Sequence, residues 1–260
     1  VSDLPSLHTI VGVFNVGTDC RINEIVNIGI YTGYEGFKSW YANGSWMRSN
    51  GVKFGLYGTA QWNGFYLNGI LGGGANFLNL NRSIDILESH RMARSHPFAV
   101  ELDSLLGGGY EYKLGSWIFG VNTSIQYTYV GISPFSESGA NNFNVRVSNQ
   151  NPSSLLYALG ASIAYLWEIS PNYRILPTVG LSWQHEFLNY GQRISARFAN
   201  GLGAPFYFYG SDGARNTAFG MAGITVQLGC RFGAYAYYNP QFGGGQIVSH
   251  GLLIGLNYNF

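Results

Sequence analysis

Residues 249–260 read Ser-His-Gly-Leu-Leu-Ile-Gly-Leu-Asn-Tyr-Asn-Phe, a run that alternates with a period of two. Leu252, Ile254, Leu256, Tyr258 and Phe260 share one parity; Leu253, Gly255, Asn257 and Asn259 share the other. Successive side chains of a strand point to opposite faces, so this stretch is a strand with one apolar face and one small or polar face. The pattern recurs. Over 116–131, Trp117, Phe119, Val121, Thr123, Ile125, Tyr127 and Tyr129 alternate with Ile118, Gly120, Asn122, Ser124, Gln126 and Thr128. Over 154–168, Tyr157, Leu159, Ala161, Ile163, Tyr165 and Trp167 alternate with Ala158, Gly160, Ser162, Ala164 and Leu166.

Eleven such stretches are expected, at 8–18, 24–35, 51–62, 64–77, 98–113, 116–131, 154–168, 172–188, 216–228, 231–240 and 248–260. They are long for a soluble sheet but suit a tilted crossing of a bilayer. Composition agrees. Charged residues make up 10% of the chain and aromatics 16%. No apolar run of about 18 residues occurs, so no transmembrane helix is supported. These features predict an all-β fold, a transmembrane antiparallel up-and-down β-barrel with an apolar outer band and a polar interior.

Short turns are expected at Asp19–Asn23, Asn63, Lys113–Ser116, Ile169–Asn172 and Gly229–Cys230. Longer connections are expected at 36–50, 78–97, 132–153, 189–215 and 241–247. The alternation matches barrels with tight periplasmic turns and longer outer loops, and puts Phe260 on the periplasmic side. Bacterial barrels have even strand numbers. An odd count therefore points either to one more strand upstream of residue 8 or to a misread hairpin. The chain opens Val1-Ser2-Asp3, which reads as the C-terminal piece of a longer precursor. Cys20 and Cys230 fall in expected turns and are read as free thiols.

A net charge of +1 without a basic, aromatic-interleaved patch gives no sign of a nucleic-acid partner. The triplets Gly72-Gly73-Gly74 and Gly107-Gly108-Gly109 lie inside strand patterns, and Gly243-Gly244-Gly245 lies in a connection. None precedes a helix, so none reads as a phosphate loop. No cofactor is implied.

Charge on the lipid face is destabilising, which assigns Lys53, Glu101, Asp103, Glu111 and Glu186 to the inward parity. With Asn122, Ser124, Gln126, Ser182 and Gln184, and small residues such as Gly120 and Gly180, they are the expected pore lining. The acids are either a solvated wall or contacts for basic residues of a segment in the pore. His185, outward beside Trp183 and Phe187, suits the headgroup region. Asp85, Glu88, His90 and His96 share the 78–97 connection, but lack the spacing of a helical metal site. No catalytic or metal role is expected. Phe206-Tyr207-Phe208-Tyr209 is an aromatic cluster that extends the hairpin above the membrane, folds over the mouth or meets a partner.

Three stretches carry a family resemblance: Pro177 to Phe187, containing Trp183-Gln184-His185-Glu186-Phe187; Arg215 to Gly223; and Ser249-His250-Gly251 leading to Asn257-Tyr258-Asn259-Phe260. In this order they resemble the translocator β-domain of autotransporters (type V secretion). Gly220 and Leu253 stand where that family more often has another pattern. The resemblance implies twelve strands, of which these would be the second to the twelfth. It implies an outer-membrane location in a bacterial cell. It implies a secreted N-terminal passenger, a pore helix, help from the barrel-assembly machinery, and a monomer that anchors and translocates rather than catalyses. Gly255, Tyr258 and Phe260 would belong to the C-terminal assembly signal. Twelve strands ~4.8 Å apart and tilted ~40° enclose a backbone radius near ~12 Å. Inward side chains leave a lumen on the order of 10 Å, enough for one helix or an extended hairpin. The alternative is a porin-like or adhesin-like outer-membrane barrel whose loops bind a ligand.

Overall fold

The computed structural model describes residues 7–86, 89–188, 191, 193–210, 214–243 and 249–260. Strands β1 (Leu7–Arg21), β2 (Val26–Tyr41), β3 (Trp46–Trp62), β4 (Phe65–Ile86), β5 (Ser89–Ser95) and β6 (Phe98–Leu114) form the first part. Next come β7 (Trp117–Ile132), β8 (Phe135–Ser136), β9 (Val145–Val147), β10 (Ser153–Tyr165), β11 (Trp167–Ser170) and β12 (Tyr173–Glu186). The last are β13 (Arg193–Phe198), β14 (Phe206–Tyr209), β15 (Asn216–Leu228), β16 (Phe232–Gly243) and β17 (Ser249–Tyr258).

Eleven of these make one antiparallel wall in the order β1-β2-β3-β4-β6-β7-β10-β12-β15-β16-β17, with β5 and β11 attached to β4 and β12. The wall curls into a half-barrel whose edges are β1 and β17. Each expected stretch overlaps one wall strand, but 154–168 is broken at Leu166: β10 ends at Tyr165, and Trp167 and Glu168 belong to β11. At one end the connections are tight. The Asn63-Gly64 turn has φ of 48° and 85°, the left-handed pair that matches the twist of a two-residue hairpin.

Lipid and water sort the two faces. On β3, Val52, Phe54 and Leu56 are 53%, 64% and 58% exposed on one face, while the Lys53 side chain between them is 19% exposed on the other. The same alternation runs along β6, β7 and β12. The convex face is apolar and open; the concave face is polar and more enclosed.

On the concave face, several tyrosines lie over a glycine directly opposite on the next strand. Tyr31 faces Gly55, Tyr237 faces Gly223 and Tyr235 faces Gly255. A Cβ at Gly255 would come within 2.2 Å of the Tyr235 ring, and one at Gly223 within 2.2 Å of Tyr237. The Gly72-Gly73-Gly74 and Gly107-Gly108-Gly109 runs are strand interior, as expected.

The structure departs from the sequence reading at the other end. The expected connection 36–50 is mostly strand, because β2 and β3 continue to a tight turn between Tyr41 and Ser45. The expected loop 78–97 is largely a hairpin, with β4 running to Ile86 and pairing with β5. Parts of 132–153 and 189–215 join in a second, four-stranded sheet, β14-β13-β9-β8. Its small core is Val145, Val147 and Ala196, with Phe135, Ile194, Phe198 and Phe206 packed against it. The Phe206–Tyr209 cluster is thus the edge strand of this sheet. The Arg193 guanidinium lies 3.6 Å from the Tyr207 ring. Both cysteines are free and exposed, but Cys20 is in β1 rather than a turn. Residues 244–248, including Gly244 and Gly245, lie outside the described residues.

Candidate functional site

The concave face gathers its charge around one lysine. Lys53 projects from β3 and lies 2.7 Å from Glu35 Oε2, 2.8 Å from Glu101 Oε1 and 3.4 Å from Asp103 Oδ2. Glu35 comes from β2, and the other two from β6. Asn76 Nδ2 of β4 donates to Glu101 Oε2 at 3.1 Å. Thr128 Oγ1 of β7 donates to Asp103 Oδ1 at 2.9 Å. Five neighbouring strands therefore contribute to one network. Three carboxylates share one ammonium, so this patch of the wall carries excess negative charge. Opposite charges at this separation hold one another only if their remaining valences are also met; Asn76 and Thr128 supply that.

Beside the network lies a hollow of about 740 Å³, bordered by Tyr31, Glu35, Lys53, Asp103 and Gln126 among others. Gln126 of β7 is thus brought to the same place as Lys53, Glu101 and Asp103. Asn122 and Ser124 lie further along the inward face of β7, opposite Gly160 and Gly107. Glu111 sits apart, near the end of β6.

On β12, Ser182 donates to the Phe219 carbonyl at 3.4 Å, and Gln184 accepts from Thr217 Oγ1 at 3.3 Å. Glu186 accepts from the Ser154 hydroxyl. It also accepts from the Leu155 N–H at 2.8 Å and the Leu188 N–H at 3.0 Å. That carboxylate ties β12 to β10 and is remote in sequence and partners from the Lys53 network. Glu35 was missed by sequence reasoning. Its parity at the end of the expected 24–35 stretch, shared with Tyr31 and Gly33, was the available signal.

The remaining candidates do not assemble a site. His90 Nδ1 lies 2.5 Å from Asp85 Oδ1 across the β4–β5 hairpin, whereas His96 bonds Asn79 at 2.6 Å. Glu88 lies outside the described residues. Among the described residues no group of His, Cys, Asp and Glu is arranged to hold a metal ion. His185 is on the convex side, packed between Trp183 and Phe187 at 5.7 and 4.7 Å between ring centres. At the far edge, Gly255 and Tyr258 lie on β17, and the Phe260 ring packs at 5.1 Å against Tyr258.

Solved structures with the same architecture bear on this wall. The translocator domain of the autotransporter NalP from Neisseria meningitidis aligns with a TM-score of 0.76 and 14% identity, over 98% of this chain and 82% of that one. The β-domain of the Bordetella autotransporter BrkA aligns at 0.74 and 18%, over 99% and 94%. The transport unit of AIDA-I from Escherichia coli aligns at 0.62 and 17%, over 99% and 87%. At these identities the likeness shows the fold. No curated protein matches the chain. The family model for the autotransporter β-domain, however, matches residues 2–239, which favours a translocator over a porin-like or adhesin-like barrel. A wall with an oily convex face, a polar concave face and this match place the chain in the autotransporter β-domain family, outer-membrane barrels that carry a passenger to the cell surface.

Proposed function

We propose that residues 1–260 act as one translocator domain, that the concave face is the wall of its route, and that the domain has no catalytic activity of its own. The segment that joins the N-terminal passenger to the barrel would run past Lys53, Glu101, Asp103, Glu111, Asn122, Ser124, Gln126, Ser182, Gln184 and Glu186, as a pore helix or an extended hairpin. The excess of acid around Lys53 carries this reading. It gives basic side chains of a passing segment a place to pause.

A second element of the proposal is closure. Eleven consecutive antiparallel neighbours leave β1 and β17 running in the same direction. An additional strand, antiparallel to both, would close the wall at twelve. The domain would then act as a monomer, inserted by the barrel-assembly machinery, with Gly255, Tyr258 and Phe260 as the assembly signal.

The test replaces Glu101→Gln and Asp103→Asn together in the full-length protein. Passenger exposure is followed by surface protease, and single-barrel conductance in planar bilayers. The expected result is slower passenger exposure and weaker cation preference with normal barrel levels. Unchanged values for both would remove these acids from the route.

A further inference from the structure

The outer end of the β2–β3 hairpin carries an arrangement that passage through the lumen does not use. Lys38 and Arg48 are register partners on these strands, and the next pair is Trp40 with Trp46. All four share the parity of Ile30, Tyr34, Val52 and Phe54, which places them on the convex face. Like charges directly opposite one another weaken a strand pair. No carboxylate relieves them, since neither Lys38 nor Arg48 has a salt-bridge partner among the described residues. Their register neighbours on this face are Ile10 of β1 and Asn79 of β4, which carry no charge. Lys38 Nζ instead lies 4.8 Å from the Trp40 ring and 5.9 Å from Trp46.

The height of this pair is informative. The outward positions of β3 from Trp62 up to Val52 span about 26 Å along the membrane normal, at ~3.4 Å per residue and a ~40° tilt, the thickness of the apolar band of such barrels. Asn50 is opposite Phe77, an exposed apolar residue on the convex face of β4. Lys38 and Arg48 come one outward position higher, about 5 Å in height. Two tryptophans at that level suit the membrane interface. Just below, Gly12 and Gly36 open a hollow of about 310 Å³ bordered by Tyr34 and Asn50 and roofed by Lys38 and Arg48. The Tyr34 hydroxyl donates to Asn50 Oδ1 at 2.6 Å, which holds the base of the hollow.

We propose that this surface binds a phosphate-bearing glycolipid of the outer leaflet. The Arg48 guanidinium presents paired donors to a phosphate, and Lys38 adds a point charge. Basic pockets at a membrane surface take anionic headgroups in this way. Trp40 and Trp46 offer ring faces to the sugar, and the glycine-floored hollow receives the first carbons of an acyl chain. The proposal rests on the outer-membrane placement and on the long connections facing outward. It does not depend on the lumen reading.

The test uses full-length protein purified from outer membranes in a neutral detergent. Native mass spectrometry and tryptophan fluorescence follow titration with a diphosphorylated glucosamine lipid, its dephosphorylated form, and inorganic phosphate. Wild type is expected to retain one phosphorylated lipid. Lys38→Gln with Arg48→Gln should weaken this at least tenfold while leaving the heat-induced gel shift of the folded barrel intact. The charge-conserving pair Lys38→Arg with Arg48→Lys should keep most of it and serves if the neutral pair fails to fold. Equal binding of the dephosphorylated lipid, equal binding by the neutral variant, or displacement by millimolar inorganic phosphate would each overturn the proposal. A barrel that folds and exports normally yet ignores the lipid sinks this inference alone.

Discussion

Lys53 touches three acids from two strands, so one side chain decides whether that part of the wall is held together or pushed apart. Replacing Lys53→Gln leaves Glu35, Glu101 and Asp103 facing one another without a cation. The expected loss is about 1–3 kcal/mol, less than for a fully buried pair because the network is partly open to water. Denaturant unfolding of the reconstituted barrel would measure it, and adding Glu101→Gln should restore much of the loss. Lys53, Glu101 and Asp103 were legible in the sequence because lipid expels charge, so parity alone tells which way they face. Glu35 was not, because the β2 pattern fades beyond it into Gly36, Lys38 and Ser39 and looks like the start of a loop. Glu186 was legible as inward. Its partners were not, because Ser154 and Leu155 meet it only through strand register.

At the scale of elements, the crossing strands were legible and their outer extensions were not. The difference has a physical cause. The period-two signal depends on oil on one side, and above the bilayer both faces meet water or loops. Thus Arg82, Asp85, Arg91 and Arg94 sit in a hairpin whose letters look like a connection. The second sheet escaped notice for a different reason. Its strands are as short as Phe135–Ser136 and Val145–Val147, too few residues to show a period.

This outer layer is pinned by Arg82, which donates to both carboxylate oxygens of Glu137 at 2.9 and 2.6 Å and to the Phe143 carbonyl at 3.0 Å. Glu137 also accepts from the Val145 N–H at 2.9 Å. The Glu137 side chain is 7% exposed and that of Arg82 42%. Substituting Glu137→Ala should therefore release the 133–152 segment at a local cost of about 1–3 kcal/mol, discounted for the exposed arginine. Limited proteolysis should cut there faster while the melting temperature of the wall stays within a few degrees.

For the molecule as a whole, the two edges dominate. All fifteen residues of β1 are exposed, and a long strand with a free edge is a template for pairing with another chain. A polypeptide limited to these 260 residues is expected to associate through β1 and β17 in detergent. One extended by a preceding strand should migrate as a heat-modifiable monomer. Size-exclusion chromatography and gel shift distinguish the two; a stable monomer from the shorter polypeptide would mean that the edges meet directly.

The tyrosines that cover glycines also set the calibre of the channel. A ring laid flat against the wall takes up only its thickness, about 3.5 Å; a ring standing upright would reach toward the axis. Gly55, Gly223 and Gly255 thus let an aromatic-rich strand line a wide bore instead of plugging it. Gly255→Val would tip Tyr235 inward, and its first symptom should be a narrower conduit, seen as reduced ion current, before any loss of the fold.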